Sequence, residues 1–319
     1  MRLALLDDYY GLAIDMADWA SLAPAVEVTA IERHIADTDE LVRALAPYDA
    51  IVAMRERTRL PRSILEMLPD LRLIVTTGMW NASIDIDCAT ERGIQVCGTG
   101  DAGHATAELT IGLMLSVARQ LPFEERALRN GRWQVRLGQG LRGRTLGLLG
   151  LGNLGRQVCA LAQAFGMQTI AWSQNLTDEA ASQAGARRVS RDELFALADY
   201  VSIHIRLSDR TRGLVGAREI ALMKPGAYLI NTSRGPIVEE VALFEALQRR
   251  AIAGAALDVY SVEPLPPEAP LRGLDNVILL PHLGYVIEEN WRLMYGDARE
   301  VVAGFLSGRL VRPLNQLRG

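Results

Sequence analysis

The sequence is poor in cysteine and histidine, and neither charge is in excess. Three cysteines in 319 residues form no CxxC pair, so no disulfide framework is predicted and a reducing, cytoplasmic compartment is favoured. The four histidines come without an HExxH motif or clustered acidic ligands, so we expect no protein-built metal site. Lys plus Arg number 34 and Asp plus Glu 38, a net charge of −4. That balance excludes nucleic-acid binding through a bulk basic excess.

Long hydrophobic runs are also missing. No segment has the roughly 18 uninterrupted apolar residues of a membrane span, and the richest, Leu109–Ala118, contains polar and glycine positions. The apolar start, Met1–Leu6, leads directly into two aspartates and has no small-residue cleavage site, which argues against a signal peptide. We therefore expect no membrane partner.

Short β-rich runs alternate with longer helical patterns along the chain. A length of 319 residues, 49% of them hydrophobic, is enough for about two domains with their own cores. Nearly all-apolar runs are typical of parallel strands covered on both faces, and the alternation predicts an α/β fold with a doubly wound sheet. The predicted strands are Leu3–Leu6, Ala50–Met54, Leu71–Thr76, Thr145–Leu149, Thr169–Trp172, Tyr200–Ile205, Tyr228–Asn231, Gly254–Asp258 and Val277–Leu280. The predicted helices include Ala105–Arg119, Arg156–Phe165, Arg191–Ala196, Glu239–Arg249 and Glu288–Leu306.

A glycine-rich turn follows the fourth of these strands. Its sequence, Gly150-Leu151-Gly152-Asn153-Leu154-Gly155, has the GxGxxG spacing and precedes a helical pattern. In such a turn the first glycine permits a tight bend, the second lets a pyrophosphate approach the backbone, and the third lets helix and strand pack closely. The exposed amides and the positive helix end hold the phosphates. This context predicts a dinucleotide-binding site, and the alternative is a βα turn without a ligand.

The next predicted strand lacks the acid that normally binds the adenosine ribose of NAD. That acid is expected about 20 residues after the glycine turn, and Ser173 follows the strand instead. Asp178 comes later and is interpreted as a first-turn charge of a helix capped by Thr177. A serine does not repel a 2′-phosphate, but no arginine adjoins Ser173 in the sequence to bind one. The choice between NAD and NADP stays open.

Three motifs follow successive apolar strands and carry an arginine, a glutamate and a histidine. They are Asn231-Thr232-Ser233-Arg234-Gly235, Leu257-Asp258-Val259-Tyr260-Ser261-Val262-Glu263-Pro264 and Leu280-Pro281-His282-Leu283-Gly284. The carboxyl ends of parallel strands share one edge of a sheet, and doubly wound sheets bind their ligands at that edge. We therefore expect the three side chains on one ligand-binding rim.

Together these motifs closely resemble the D-isomer-specific 2-hydroxyacid dehydrogenase family, which includes phosphoglycerate, glyoxylate/hydroxypyruvate and D-lactate dehydrogenases. The resemblance covers nearly the whole chain and includes Thr77-Gly78-Met79, Ala107-Glu108 and Met223-Lys224-Pro225-Gly226-Ala227. It implies hydride transfer between NAD or NADP and a small 2-oxo or D-2-hydroxy acid. By this resemblance Arg234 would bind the substrate carboxylate and 2-oxo oxygen, and His282 would be the acid/base. Glu263 would pair with His282 and keep the imidazolium available.

The resemblance assigns further residues to the substrate and the cofactor. The backbone amides of Gly78 and Met79 would bind the substrate carboxylate, and Asp258 would orient the nicotinamide amide. The cofactor would be lined by the glycine turn together with Thr106, Ser173, Ile205, Thr232, Ser233 and Gly284. Arg55 would either contact an anion in the substrate cleft or be a solvated surface charge. Tyr285 would either cap the substrate site or simply pack against its neighbours.

The chain departs from the family pattern at two further positions. Trp80 stands where the family has a small residue, which predicts a narrowed pocket or a reshaped loop. Arg206 replaces a proline and brings a cation to the expected adenosine side, unless it simply faces solvent.

The resemblance also implies an architecture. A Rossmann cofactor domain, residues 101–284, would be inserted into a flavodoxin-like substrate domain formed by residues 1–100 and 285–319. A cleft between the domains would close on the ligands, and a homodimer is the default assembly. Two alternatives stay open: an NAD(H)-sensing, corepressor-like interaction protein, and a dehydrogenase of another substrate, such as formate or a phosphonate, on the same scaffold.

Overall fold

Two sheets of parallel strands organise the computed structural model, which describes residues 1–317. The chain divides into two units. The first unit comprises Met1–Ala102 and the segment from Ile287 onward, and the second unit comprises Gly103–Val286. The predicted α/β class with parallel sheets is confirmed.

The first unit contains a five-stranded sheet. Its strands are β1 (Arg2–Leu5), β2 (Glu27–Ala30), β3 (Ala50–Ala53), β4 (Leu73–Thr76) and β5 (Gln95–Gly98), and its helices are α1 (Thr38–Leu45), α2 (Arg62–Leu65), α3 (Ile86–Glu91) and α11 (Glu288–Leu306). The strand order β2-β1-β3-β4-β5 is that of flavodoxin-like sheets. The carboxyl ends of β1, β3 and β4 are therefore neighbours on one edge.

The second unit contains a seven-stranded sheet. Its strands are β6 (Thr145–Leu149), β7 (Gln168–Trp172), β8 (Arg187–Arg188), β9 (Tyr200–Ile203), β10 (Tyr228–Asn231), β11 (Gly254–Leu257) and β12 (Val277–Leu279). Its helices are α4 (Ala105–Ala118), α5 (Leu121–Arg129), α6 (Asn153–Ala164), α7 (Asp178–Gln183), α8 (Arg191–Leu197), α9 (Ala217–Leu222) and α10 (Glu240–Gln248). The order β12-β11-β10-β9-β6-β7-β8 changes direction at β6, as in a Rossmann fold. The crevice beyond the carboxyl ends of β6 and β9 is the ligand-binding position of such sheets.

Alternate residues of the central strands enter two different cores of the second unit. Leu149 and Leu229 pack in one core, and their neighbours Leu148 and Ile230 pack in the other. Successive side chains of a strand point to opposite faces, so a sheet covered on both faces needs apolar residues at every position. This explains why these strands read as continuous apolar runs.

All nine predicted strands are present, and their observed ends lie within two residues of the predicted ones. Three observed strands, β2, β5 and β8, were not predicted. Edge strand β2 has side chains alternating between exposed and half-buried, and β8 has only two residues, both exposed arginines. Helix α6 begins at Asn153, three residues earlier than predicted, because the glycine turn itself supplies its first turn. Asp178 does lie in the first turn of α7, where the Thr177 side chain accepts a hydrogen bond from the Ala180 amide.

Candidate active site

The three glycines of the turn after β6 differ in their surroundings. Gly150 has φ +105°, and a Cβ there would lie 2.5 Å from the carbonyl oxygen of His204. A Cβ on Gly155 would lie 2.3 Å from the Gly150 carbonyl oxygen. A Cβ on Gly152 would meet no atom within 4 Å. The fold therefore requires the first and third glycines, whereas the second leaves open space beside the backbone.

That open space adjoins the beginning of α6. Gly152 is the N-cap, Asn153 and Leu154 are the first two helical residues, and the first turn carries no acidic side chain. The first amides of a helix have no intrahelical partner and form the positive end of its dipole. A helix start with free space beside it can accept the pyrophosphate of a dinucleotide. Glycine at position 152 leaves that space open, because a Cβ there would fill it.

Ser173 follows β7 at the position where the adenosine end of a dinucleotide is expected. The neighbouring strand β8 pairs with β7 and places Arg188 opposite Ala171. The Arg188 guanidinium lies 3.5 Å from the Asp178 carboxylate. The sequence has no arginine adjoining Ser173, but the fold brings one to the next strand. Arg206 follows β9 and is exposed.

Hydroxyl groups cross-link the predicted cofactor-lining segments within the second unit. Ser233 Oγ donates to the Ile205 carbonyl oxygen at 2.5 Å, and Thr106 Oγ1 donates to the Gly284 carbonyl oxygen at 2.8 Å. The hydroxyls of Thr232 and Thr110 are 2.9 Å apart. These bonds connect the segments that follow β9, β10 and β12 or begin α4, so five of the predicted cofactor residues lie in one hydrogen-bonded group: Thr106, Ile205, Thr232, Ser233 and Gly284.

Asp258 lies at the end of β11 and is fully buried. Its carboxylate accepts hydrogen bonds from the amides of Leu283 at 2.6 Å and Gly284 at 2.8 Å. Burial raises the pKa of Asp258, while these two amides and the nearby His282 partly offset that effect. The carboxylate therefore fixes the loop that carries His282.

Glu263 and His282 form a close pair. His282 Nδ1 is 2.6 Å from Glu263 Oε2, and Glu263 Oε1 accepts a hydrogen bond from the Tyr260 amide at 2.8 Å. Burial alone would raise the pKa of Glu263, but its hydrogen bond to His282, the His282 charge, the Tyr260 amide and Arg234 together lower it. Glu263 is therefore a carboxylate at neutral pH, and an Nδ1–H tautomer leaves His282 Nε2 for a substrate.

Arg234 follows β10 on the same edge. The Asn231 side-chain amide donates to the Arg234 carbonyl oxygen at 3.0 Å, and Arg234 donates to the Ser233 carbonyl oxygen at 2.8 Å. Its charge contributes to the lowered pKa of Glu263. The structure thus brings a cation, a carboxylate and an imidazole together at the carboxyl ends of neighbouring strands, a set suited to binding and protonating an anionic carbonyl compound.

Tyr285 contacts the imidazole of this group. Its ring packs edge-to-face on His282, with 5.5 Å between ring centroids, and its side chain is buried. This contact restricts the orientation of the imidazole.

The turn after β4 in the first unit carries a pair of open amides. Gly78 has φ +94°, and its amide donates to Thr99 Oγ1 at 2.8 Å. Within residues 1–317, the next two amides, those of Met79 and Trp80, donate no hydrogen bond. Successive free amides after a residue with positive φ form a concave site for an anion. For Gly78 itself to donate to a substrate, its bond to Thr99 would have to break.

Arg55 lies against the same turn. A Cβ on Gly78 would be 2.3 Å from a guanidinium nitrogen of Arg55, so glycine is required there for this approach as well. The guanidinium donates to the Thr77 carbonyl oxygen at 3.4 Å and lies 3.5 Å from Asp101. Arg55 is thus part of the turn, with its charge partly compensated by Asp101.

Several supporting residues were not singled out from the sequence. Asn231 and Tyr260 belong to the motifs quoted above. Asn231 precedes Arg234 by three positions and Tyr260 lies between Asp258 and Glu263, and this placement was an available signal. Thr99 and Thr110 had no local signal, because their partners are 21 and 122 residues away in the chain. Among the described residues there is no group of three or more metal-ligating side chains, and no helix long and apolar enough to cross a membrane.

Comparisons with known proteins agree with this geometry. Residues 111–284 match the model of the D-isomer specific 2-hydroxyacid dehydrogenase NAD binding domain. The glyoxylate reductase of Korarchaeum cryptofilum is 33% identical over 97% of this chain and 90% of its own. A phosphoglycerate oxidoreductase structure from Vibrio cholerae superposes with a TM-score of 0.92, 35% identity, and coverage of 97% of this chain and 99% of its own.

The curated phosphoglycerate dehydrogenases that match are much longer proteins. The D-3-phosphoglycerate dehydrogenase of Methanocaldococcus jannaschii is 38% identical over 85% of this chain, but over only 52% of its own length. The chain thus spans about half the length of these relatives. The family match over more than half of the chain and the relative that covers nearly all of it nevertheless lead to one conclusion: this chain belongs to the D-isomer specific 2-hydroxyacid dehydrogenase family.

Proposed function

We propose that the protein is an NAD(P)-dependent oxidoreductase that interconverts a small 2-oxo acid and a D-2-hydroxy acid. The observation that carries this proposal is the 2.6 Å Glu263–His282 pair beside Arg234, in a unit that belongs to an NAD binding domain family. None of the relatives named above supports the corepressor-like alternative.

In this proposal Arg234 binds the substrate carboxylate and 2-oxo oxygen through its planar guanidinium. His282 donates a proton from Nε2 to that oxygen in reduction and takes it back in oxidation, because Nδ1 is committed to Glu263. Glu263, held by the Tyr260 amide, stabilises the protonated imidazole. A bound nicotinamide cofactor supplies or accepts the hydride.

The turn after β4 is proposed as a second anchor for the substrate carboxylate. Its open amides are those of Met79 and Trp80, and Gly78 shapes the turn through its positive φ. Arg55, whose charge is partly compensated by Asp101, lies beside it. The assignment of residues 1–100 and 285–319 to the substrate and of 101–284 to the cofactor is likewise a proposal.

The cofactor is proposed to bind along the glycine turn, with Asp258 and the cross-linked hydroxyls near its nicotinamide end. Ser173 carries no negative charge, so we expect NADPH as well as NADH to be used. Substitution Ser173→Asp is expected to restore a preference for NADH, and an unchanged strong NADH preference in both proteins would contradict this reading.

A homodimer and a cytoplasmic location are also proposed. Three free, buried cysteines suit a reducing compartment. The dimer is supported by large apolar side chains that α5 and the following loop expose to solvent.

The proposed activity is tested by following NADH and NADPH oxidation with glyoxylate, pyruvate and hydroxypyruvate. Substitution Arg234→Ala is expected to lower kcat/KM by at least about a hundredfold, since charged hydrogen bonds to the substrate are lost. The cofactor dissociation constant should stay the same. Arg249→Ala removes an exposed arginine of the second unit and is the control. Absence of turnover with every 2-oxo acid would overturn the proposal.

A further inference from the structure

Large apolar side chains gather at the carboxyl edge of the first sheet. Tyr9 and Tyr10 follow β1, and Met79 and Trp80 follow β4, with exposed fractions of 43%, 50%, 53% and 55%. The loops of β1 and β4 flank that of β3, because the three strands are neighbours in the sheet. The edge that holds the open amides therefore presents aromatic and thioether groups beside the charged residues that follow β3.

Two cations of the same edge, Arg57 and Arg55, are already engaged. The Arg57 guanidinium lies 4.5 Å from the centroid of Tyr9 and 6.0 Å from that of Trp291, and it donates to the Asp7 carbonyl oxygen at 2.9 Å. Arg55 faces Asp101 at 3.5 Å. A phosphate group on a substrate needs charged donors directed at it. Here aromatic rings cover one guanidinium, and a carboxylate compensates the other.

We propose that Trp80 and Met79 select the substrate by its third carbon, favouring 2-oxo acids with an aromatic or large apolar side chain over phosphorylated ones and over glyoxylate. This inference rests on the proposed function, in which the amides of these two residues bind the substrate carboxylate. A substrate anchored by those amides places its next carbons beside the side chains of the same residues. An apolar substituent buries surface against them, whereas a phosphate beside them would lose water without gaining a charged partner from either side chain.

The test compares kcat/KM for phenylpyruvate, 3-phosphohydroxypyruvate and glyoxylate in the parent protein and in three variants. We expect the parent to prefer phenylpyruvate to each of the others by at least about tenfold, the scale of one well-buried apolar group. Trp80→Ala should remove most of that preference by raising KM for phenylpyruvate at least about fivefold more than KM for glyoxylate. Trp80→Phe should retain the preference, since a ring remains.

Met67→Ala is the matched control. Met67 is 51% exposed in the same unit and follows α2, on the chain leading to the amino end of β4. Its truncation should leave all three substrates unaffected. A tenfold preference for 3-phosphohydroxypyruvate in the parent, or an equal loss with every substrate in Trp80→Ala, would overturn the selection. Reduction of glyoxylate without an aromatic preference defeats this inference alone, whereas no reduction of any 2-oxo acid defeats the proposed function with it.

Discussion

At the residue scale, a substitution at Gly152 tests ligand binding separately from folding stability. A Cβ there meets nothing within 4 Å, so Gly152→Ala should change the free energy of unfolding by less than about 0.5 kcal/mol. The added methyl group would occupy the space proposed for the pyrophosphate. We expect NADH and NADPH to bind at least about tenfold more weakly, as measured by fluorescence titration beside thermal unfolding.

Gly150→Ala provides the contrast for that prediction. Its Cβ would lie 2.5 Å from a backbone oxygen and the residue has φ +105°, so the variant should lose stability without any cofactor present. If Gly152→Ala binds both nucleotides as the parent does, the glycine turn is not the phosphate site.

His204, next to the same turn, predicts a pH-dependent stability. Burial lowers its pKa to about 4 from 6.5, and its Nε2 lies 2.8 Å from Ser202 Oγ. Below pH 6.5 the unfolded chain binds this proton while the folded chain does not. Stability should therefore fall as the pH drops from 6.5 to 4, by at most about 1.4 kcal/mol per pH unit from this group.

The contribution of His204 is measured by comparison with His204→Gln, which keeps a polar group that can reach Ser202 but does not titrate. Urea unfolding of both proteins between pH 7 and 4 gives the difference, in which the effects of all carboxylates cancel. The parent should lose more stability than the variant across this window. Parallel curves would contradict the lowered pKa of His204.

At the element scale, the segments that follow β10 and β11 touch through Gly235. A Cβ on Gly235 would lie 2.0 Å from the carbonyl carbon of Tyr260, whose amide holds Glu263. Gly235→Ala must push the two strand ends apart, which displaces Arg234 and the Glu263–His282 pair. We expect a destabilisation of about 1–3 kcal/mol and a fall in kcat of at least about tenfold.

Gly226→Ala is the matched control for that substitution. Gly226 lies just before β10, and a Cβ there meets no atom within 4 Å. Unfolding and steady-state assays of the two variants should therefore differ sharply. Equal behaviour would show that the contact between the two segments does not position the active site.

Among the elements, buried central strands are the ones that sequence patterns predict best. Strands such as β6 and β10 are predicted well because both faces are buried and nearly every position is apolar. Edge strands β2 and β8 lack that signal, since they are exposed and their pairing depends on a neighbour rather than on their own residues. Short helices such as α2, with four residues, are stabilised by packing more than by intrinsic propensity and leave little periodicity to detect.

At the scale of the whole molecule, the site residues predicted from the sequence are those that lie in strand-end motifs. Arg234, Glu263 and His282 come together because parallel strands share one edge. The motifs do not contain the residues that hold the anion-binding turn of the first unit in place. The commitment of the Gly78 amide to Thr99, and the pairing of Arg55 with Asp101, depend on contacts between segments over 20 residues apart.

The assembly of the whole molecule is predicted from one exposed apolar surface, which lies after α5. After α5, Trp133, Val135 and Leu137 are 77%, 41% and 98% exposed. The backbone beneath them is nevertheless anchored, because Glu124 accepts hydrogen bonds from the amides of Val135 and Arg136. An anchored loop with large exposed apolar side chains is typical of a surface covered by another chain.

A second copy of this chain is the occupant we propose for that surface. Leu137→Asp should then shift the mass measured by light scattering from two chains towards one, because an uncompensated carboxylate would be buried at the interface. Met67→Asp introduces the same charge at a comparably exposed apolar position of the first unit and should leave the mass unchanged. A parent protein that has the mass of one chain at micromolar concentration would contradict the dimer. A dimer that persists in Leu137→Asp would place the interface elsewhere on the chain.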